Sequence, residues 1–327
     1  MSNRRKLIIA LGAGALTAPF SSLAQQQGKV WRIGFLWADS DSVQRLDAFK
    51  TGMRALGNIE GRDYAIEERS AQNELARLPT LAAELLALNV DLIVPSGTPA
   101  AMAARKASRG IPILLVTVVD PVGSGLAATL AHPGGNVTGL TQDVGTDLLT
   151  KRLDLLRQIL PGMRRVGILY NPDNAGNIPS VKQFETDCAK LGFKSIRAPV
   201  RKREEITTAF NTLQRDKAQG LIVTAASTNF AWRVSIIEHA AKHRLPAIFN
   251  IGQYADSGGL ISYGADTLDL FRRVATHADK IFKGAKPGDL PIEQPTKFEM
   301  AINMKTAKAL GIKIPDIVML RADRVIE

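Results

Sequence analysis

Ser96, Gly97 and Thr98 stand where an apolar segment ends and a helical segment begins, and this arrangement is suited to binding an anion. Pro99 follows at a position that is typical of a first helical turn. Free backbone N–H groups and the helix dipole favour a negative charge at such a point, and the two hydroxyls add donors. The pattern indicates a carboxylate site; alternatively, Thr98 only caps its own helix.

Asp120 ends the next apolar segment, directly before Pro121. Its carboxylate can pair with the ammonium group of a ligand, or it can hold the neighbouring loop through an Asx-type turn. The residue types favour neither interpretation over the other. A carboxylate site and an ammonium site in one cleft would together suit an amino acid.

Other candidate side chains supply aromatic faces and hydrogen bonds. Trp37 and Tyr263 can stack on an apolar or aromatic ligand, and packing in the hinge or core is the alternative role for both. The remaining candidates are polar: Asp39, Thr141, Asn171, Asn174, Ser227, Thr228 and Asn250. Together these residues predict a ligand-binding site that contains neither a metal ion nor a cofactor.

Residues spaced for catalysis are missing from the sequence. It has no Gly-Lys-Ser/Thr phosphate loop, no His-Glu-x-x-His zinc motif and no Gly-x-Ser-x-Gly nucleophile elbow. His239 and His243 lie four residues apart on one helical face, but further zinc ligands are not spaced around them. Cys188 is the only cysteine and is predicted to be a small buried residue. We therefore do not expect an enzyme.

Two halves of the chain share one plan and position these residues. RIGFLW at 32–37 resembles RVGILY at 165–170, and VDLIVPSGT at 90–98 resembles QGLIVTAAS at 219–227. In each half, short apolar segments alternate with helical ones, which is typical of parallel sheets covered on both faces. The repeat predicts an α/β fold with two doubly wound lobes; a single large sheet is the alternative.

Parallel sheets bind ligands beyond the carboxyl ends of their strands. If the two lobes face each other, the loops that follow equivalent strands line one cleft between them. All the candidate residues above except Tyr263 follow such strands, and Tyr263 lies at the predicted edge of the cleft. The predicted sheet topology therefore indicates where the ligand-binding site lies, and this inference uses no catalytic motif.

The first 24 residues have the pattern of a secretory signal. Three positive charges precede an uncharged run from Leu7 to Phe20, and small residues lead to a predicted cleavage site after Ala24. The paired Arg4 and Arg5 leave open whether export follows the general or the twin-arginine route.

Cleavage would reduce the net charge from +11 to +8, and the basic residues are mostly interleaved with acidic ones. We expect a periplasmic monomer that does not bind nucleic acid.

Six segments in order along the chain resemble one family. They are SGTP at 96–99, VDPV at 119–122, HPGGNVTG at 132–139, VGILYNP at 166–172, GGLISYG at 258–264 and QPTKFE at 294–299. The chain resembles the periplasmic solute-binding proteins of ABC transporters, in the group related to tryptophan- and tyrosine-binding lipoproteins. Relatives are often lipid-anchored, whereas this chain lacks the cysteine that anchoring requires.

The resemblance implies a type I periplasmic-binding fold with three strands that cross between the lobes at a hinge. Lobe 1 would comprise residues 29–141 and 264–292, and lobe 2 residues 142–263 and 293–327. It also implies a small ligand, an amino acid or an aromatic or other organic carboxylate, that is captured by hinge closure and passed to a permease in the inner membrane. A ligand-sensing receptor domain and an exported α/β hydrolase are the alternatives.

Overall fold

The structure is a computed structural model that describes residues 29–40, 42–142 and 147–327, so the predicted signal sequence lies outside the described residues. The first sheet has six strands: β1 (Trp31–Trp37), β2 (Tyr64–Ser70), β3 (Leu92–Ser96), β4 (Ile113–Val118), β5 (Val137–Thr141) and β11 (Ile292–Glu293). Their order is β11-β5-β4-β3-β1-β2, and the pairs are parallel.

The second sheet contains the equivalent strands of the other half. Its strands are β6 (Arg165–Tyr170), β7 (Lys194–Pro199), β8 (Gly220–Val223), β9 (Ala247–Phe249), β10 (Ile261–Ala265), β12 (Phe298–Asn303) and β13 (Arg324–Ile326). The order is β13-β12-β10-β9-β8-β6-β7. Only β10 and β12 pair antiparallel among the described strands, because β12 enters this sheet from the hinge rather than from a covering helix.

Helices cover both faces of each sheet. Lobe 1 contains α1 (Val43–Ala55), α2 (Leu78–Ala87), α3 (Thr98–Ala107) and α10 (Thr267–Phe282), with 3₁₀ turns at Leu75–Arg77 and Pro287–Asp289. Lobe 2 contains α4 (Asp147–Ile159), α5 (Asn177–Lys190), α6 (Glu205–Arg215), α7 (Ser227–Ala231), α8 (Arg233–Lys242), α9 (Gln253–Asp256), α11 (Met304–Leu310) and α12 (Asp316–Met319). None of the helices in the described ranges combines the length and the apolar character needed to cross a membrane.

Each lobe has its own hydrophobic core in two layers. In lobe 1, Phe49 of α1 and Phe271 of α10 pack on one face of the sheet, whereas Leu81 of α2 packs on the other. In lobe 2, Phe184 and Phe210 occupy the equivalent layers. Full burial of one such side chain contributes about 2–3 kcal/mol. Two separate cores allow each lobe to move as a rigid unit.

The chain crosses between the lobes three times. After β5, α4 packs against β8 and β9 of the second sheet. After β10 in the second sheet, α10 packs against α1 in lobe 1. Finally, β11 pairs with β5 and β12 returns to the second sheet. These crossings form the predicted three-strand hinge of an α/β fold with two lobes; the residue boundaries of the lobes stay a prediction.

His277, on α10 beside the hinge, is a buried histidine of lobe 1. Its side chain is 1% exposed, and Nε2–H donates to the carbonyl of Pro291 over 3.2 Å. Nδ1 has no hydrogen-bond partner in the described part of the chain. Burial lowers the pKa of His277, although Glu293, with an oxygen 3.9 Å from Nε2, partly opposes this effect; Lys280 and Arg273 reinforce it.

We expect the free energy of unfolding to fall as the pH drops below about 6.5, because the unfolded histidine takes up a proton there and the folded one does so only at lower pH. Urea unfolding at pH 7.5 and pH 5.5 measures this effect. His277→Gln should flatten the pH dependence, whereas His132→Gln, which alters an exposed histidine, should not. Equal pH dependence in wild type and His277→Gln would contradict this account.

Candidate functional site

The two lobes enclose one cleft at the carboxyl ends of their parallel strands. This interlobe cleft holds about 660 Å³ of space, counted out to its mouth. Lobe 1 lines it with residues that follow β1, β3, β4 and β5, and lobe 2 with residues that follow β6, β8 and β9. The location is the one that the strand-end argument predicts.

The N-terminus of α3 opens onto the cleft. Gly97 precedes the helix with φ of 87°, and no side chain caps the first turn. Ser96 is 2% exposed, and its hydroxyl oxygen lies 3.3 Å from that of Thr117. The Thr98 hydroxyl accepts the N–H of Val119 over 3.1 Å, so it also ties α3 to the end of β4. The first-turn N–H groups have no helical acceptor and favour an anion.

The lobes approach each other closely at two glycines. A Cβ atom on Gly97 would lie 2.5 Å from the Ser227 hydroxyl oxygen, and one on Gly176 would lie 2.5 Å from the backbone oxygen of Val119. Gly97 and Val119 belong to lobe 1, whereas Ser227 and Gly176 belong to lobe 2. Contacts this short leave no room for any side chain, so the structure represents a closed arrangement of the lobes.

A buried ion pair forms part of the cleft wall. Arg45 and Asp39 are 8% and 6% exposed, and the guanidinium donates to both carboxylate oxygens. Arg45 also donates to the Ser96 hydroxyl over 3.2 Å. Its guanidinium carbon lies 4.9 Å from the Trp37 ring centroid and 5.8 Å from that of Phe271. The pair places a fixed cation and a fixed anion beside the helix terminus.

The structure brings seven of the predicted site residues together in the wall of the cleft: Asp39, Ser96, Gly97, Thr98, Asn174, Ser227 and Asn250. Asn171 and Thr228 lie in an adjoining outer cavity, which shares Thr98, Asn174 and Ser227 with the cleft. The Asn171 side-chain amide donates to the Thr228 hydroxyl over 2.9 Å. These two side chains therefore hold each other at the cleft mouth.

Trp37 and Tyr263 are not among the cleft-lining residues in this conformation. Trp37 is 1% exposed, stacks on Phe35 with ring centroids 5.2 Å apart, and donates Nε1–H to Glu68 over 2.8 Å. Tyr263 stacks on Phe298 with centroids 6.1 Å apart. Both aromatic rings pack as part of the core or hinge, which was the alternative role.

Asp120 and Thr141 also lie outside the lining of the cleft. Asp120 accepts the N–H of Gly123 over 2.8 Å and adopts φ of 44°, as a residue in a tight Asx-type turn does. Thr141 donates its hydroxyl to the carbonyl of Val118 over 2.8 Å. Asp120 thus holds the loop after β4, which favours its loop-holding interpretation, and Thr141 ties the end of β5 to the end of β4.

Sequence reasoning missed the cleft residues Gln44, Arg45, Thr117, Val119, Gln142, Phe230, Ile251, Gln253 and Thr267. Gln44 and Arg45 lie in the first turn of α1, and Gln253 and Thr267 begin α9 and α10. The first helical turn after each strand points at the same edge as the loop, so extending the strand-end rule by one turn would have found these four. The Asp39–Arg45 pairing has no local sequence signal.

The histidine pair and the cysteine have ordinary structural surroundings. His239 Nε2 lies 3.1 Å from the Thr207 hydroxyl, and Nδ1 lies 2.8 Å from the carbonyl of Ser235. Burial raises the pKa of the Cys188 thiol to about 12, which makes it a poor nucleophile. No cluster of three or more His, Cys, Asp or Glu side chains suited to a metal ion occurs within the described ranges.

Three proteins are similar to this chain, one compared by sequence and two by structure. The chain is 28% identical over 284 residues to a tyrosine-binding protein of Clostridioides difficile (strain R20291), covering 86% of this chain and 80% of that one. A domain solved in complex with L-Trp from Streptococcus pneumoniae matches with 25% identity and a TM-score of 0.83, over 91% of this chain and 100% of that one. A ligand-free, open substrate-binding protein from Clostridium difficile, 26% identical, matches over 91% and 99% with a TM-score of 0.69.

The higher similarity to the L-Trp complex than to the open, ligand-free protein agrees with the short lobe contacts at Gly97 and Gly176. The family model for ABC transporter substrate binding proteins matches residues 37–326, which is most of both lobes and all three hinge crossings. The fold, the interlobe cleft and this match lead to one conclusion: the chain belongs to the ABC transporter substrate-binding proteins.

Proposed function

We propose that the protein binds an α-amino acid in the interlobe cleft, with its carboxylate at the N-terminus of α3. The observation that carries this proposal is the uncapped first turn of α3, which faces the cleft beside the Ser96 hydroxyl and across from Ser227. A carboxylate there would gain the helix dipole and direct hydrogen bonds. Ser227 comes from the other lobe, so the same anion would draw the two lobes together.

Asp39 is the residue we assign to the ligand ammonium group. It is the only acidic side chain in the described lining of the cleft, and its pairing with Arg45 fixes its position. Asp120, which the sequence predicts as the partner of the ammonium group, lies outside the lining of the cleft. An aromatic or branched side chain is our first choice, because one relative is named tyrosine-binding and another was solved with L-Trp.

An organic carboxylate without an ammonium group is the second candidate. Arg45 favours it, because a guanidinium in the cleft wall beside Ser96 can form a planar pair with a carboxylate. The Asp39–Arg45 pair is neutral as a whole, so it fits either a zwitterion or a ligand whose charge lies at α3. A ligand analogue without the amino group distinguishes the two candidates. Its binding is lost if the cleft recognises an amino acid and is kept if the cleft recognises an organic carboxylate.

The cellular role we propose follows the family. The first 24 residues direct export, cleavage after Ala24 releases a periplasmic monomer, and the ligand-loaded closed form delivers its ligand to a permease in the inner membrane. The ligand shifts the population toward the closed form by its extra affinity for that state. We assign no catalytic step to the cleft.

Thermal unfolding of residues 25–327 with a panel of amino acids, organic acids and sugars tests the proposal. The protein is first unfolded and refolded to remove any solute acquired during expression. A ligand at 100 times its dissociation constant should add about 2.7 kcal/mol of stability, which raises the midpoint by several degrees. A rise of the unfolding midpoint with amino acids only supports the proposal. A rise with sugars only contradicts it, and so does a midpoint that no compound in the panel raises.

A further inference from the structure

Two oxygen atoms in cleft-lining residues have no hydrogen-bond partner within the described ranges. They are the side-chain oxygen Oδ1 of Asn250 and the hydroxyl oxygen Oγ1 of Thr267. The two residues are only 5% and 9% exposed, and neither atom has a partner among the residues that the structure describes. Buried polar atoms are nearly always paired in native proteins, so unpaired ones in the wall of a ligand cleft require an explanation.

The two residues belong to different lobes and lie near the same hinge crossing. Asn250 directly follows β9 of the second sheet, and its backbone carbonyl is packed tightly against Gly264 of β10. Thr267 is the first residue of α10, which packs on α1 in lobe 1. The chain between Gly264 and Thr267 is the second crossing of the hinge. Both residues therefore line the hinge end of the cleft.

Their chemistry specifies the group that would satisfy both. A side-chain carbonyl oxygen only accepts hydrogen bonds, so Asn250 Oδ1 needs a donor. A threonine hydroxyl both donates and accepts, so Thr267 Oγ1 can pair with the same group. A ligand hydroxyl placed between them would satisfy both, by donating to Asn250 and accepting from Thr267, and an N–H would donate to either oxygen. A hydrocarbon group leaves both oxygens unpaired.

We infer that Asn250 and Thr267 are specificity-determining residues that select ligands with a hydroxyl or N–H group on the side chain. This inference rests on the proposed function, which places the carboxylate of an amino acid at α3. A ligand group held by both residues bridges the lobes beside the hinge, so the bond is complete only in the closed form. Recognition of the side chain and closure of the lobes are thereby coupled.

Titration calorimetry with matched amino acids tests the inference. L-tyrosine and L-phenylalanine differ by one hydroxyl, and L-threonine and L-valine are a second, smaller pair of this kind. For at least one pair, we expect the wild type to bind the hydroxylated member at least about tenfold more tightly, because its partner lacking the hydroxyl leaves buried groups unpaired. Thr267→Val should bring that ratio toward one, chiefly by weakening the hydroxylated ligand.

Two further variants separate recognition from general damage. Thr267→Ser keeps the hydroxyl and should restore the wild-type ratio. Ser262→Ala removes another fully buried hydroxyl, which has no partner in the part of the chain that the structure describes and does not line the cleft, and it should leave the ratio unchanged. Equal affinity for both members of each pair, or a ratio that Thr267→Val does not change, would overturn only this inference. Failure of all four amino acids to bind would also overturn this inference, and failure of every amino acid in the thermal-unfolding panel would overturn the proposed function together with it.

Discussion

Replacing Gly176 with alanine is expected to weaken ligand binding by about 10- to 100-fold while leaving the fold intact. A Cβ atom at this position would lie 2.5 Å from the backbone oxygen of Val119, which belongs to the opposite lobe and cannot rotate away. Overpacking of this kind costs about 1–3 kcal/mol. Only the closed form makes the contact, so the whole cost falls on the ligand-bound state.

The backbone at Gly176 itself tolerates alanine, because φ of −71° and ψ of −19° are ordinary helical values. Gly162→Ala is the matched control, since no atom lies within 4 Å of a Cβ there and its backbone is outside the left-handed region. Calorimetry with the ligand found by thermal unfolding measures the affinities. Small-angle X-ray scattering at saturating ligand should show a larger radius of gyration for Gly176→Ala than for Gly162→Ala. Unchanged affinity and size would contradict the closed arrangement.

Replacing Asp39 with alanine is expected to lower the free energy of unfolding by about 3 kcal/mol, which is the largest stability effect we predict. The substitution removes the carboxylate that accepts two hydrogen bonds from Arg45, so a buried guanidinium remains inside the lobe with less compensation. Breaking one side of a buried pair typically costs 3–5 kcal/mol. Urea unfolding of the ligand-free protein measures the change without any contribution from binding.

A double variant shows whether the loss comes from the buried charge. Asp39→Ala combined with Arg45→Met removes both charges and keeps an apolar chain against Trp37 and Phe271, so it should be more stable than Asp39→Ala alone. Asp47→Ala, at an exposed position of the same helix, is the control and should change stability by less than about 0.5 kcal/mol. Additive losses in the double variant would show that the two side chains act independently.

The sheets were predictable because their strands are short apolar runs with a fixed order. RIGFLW at 32–37 became β1 and RVGILY at 165–170 became β6, each shifted by one residue or less. The antiparallel entry of β12 was not predictable from its own residues, because it depends on the path of the chain through the hinge. Local patterns therefore determined the strands, and the topology determined their direction.

The site was predictable to the extent that it follows from strand ends. Ser96, Ser227 and Asn250 reached the cleft because each stands at the end of a parallel strand or in the segment that follows one. Trp37 also stands at a strand end, but alternation along β1 turns its ring into the core on the same face as Phe35. Asp39 lies beyond the end of the strand, where alternation no longer holds, and it reaches the cleft. Arg45 was missed because its place in the wall depends on a tertiary ion pair with Asp39.

The central claim is that the cleft closes on an amino acid whose carboxylate lies at the N-terminus of α3. The most direct test is titration calorimetry of refolded residues 25–327 with L-tyrosine and L-tryptophan, each compared with its decarboxylated amine, tyramine or tryptamine. We predict that at least one amino acid binds and that its amine binds at least about 100-fold more weakly, because the loss of a charge-assisted site costs about 3 kcal/mol. Equal binding of an amine and its amino acid would contradict the carboxylate site at α3.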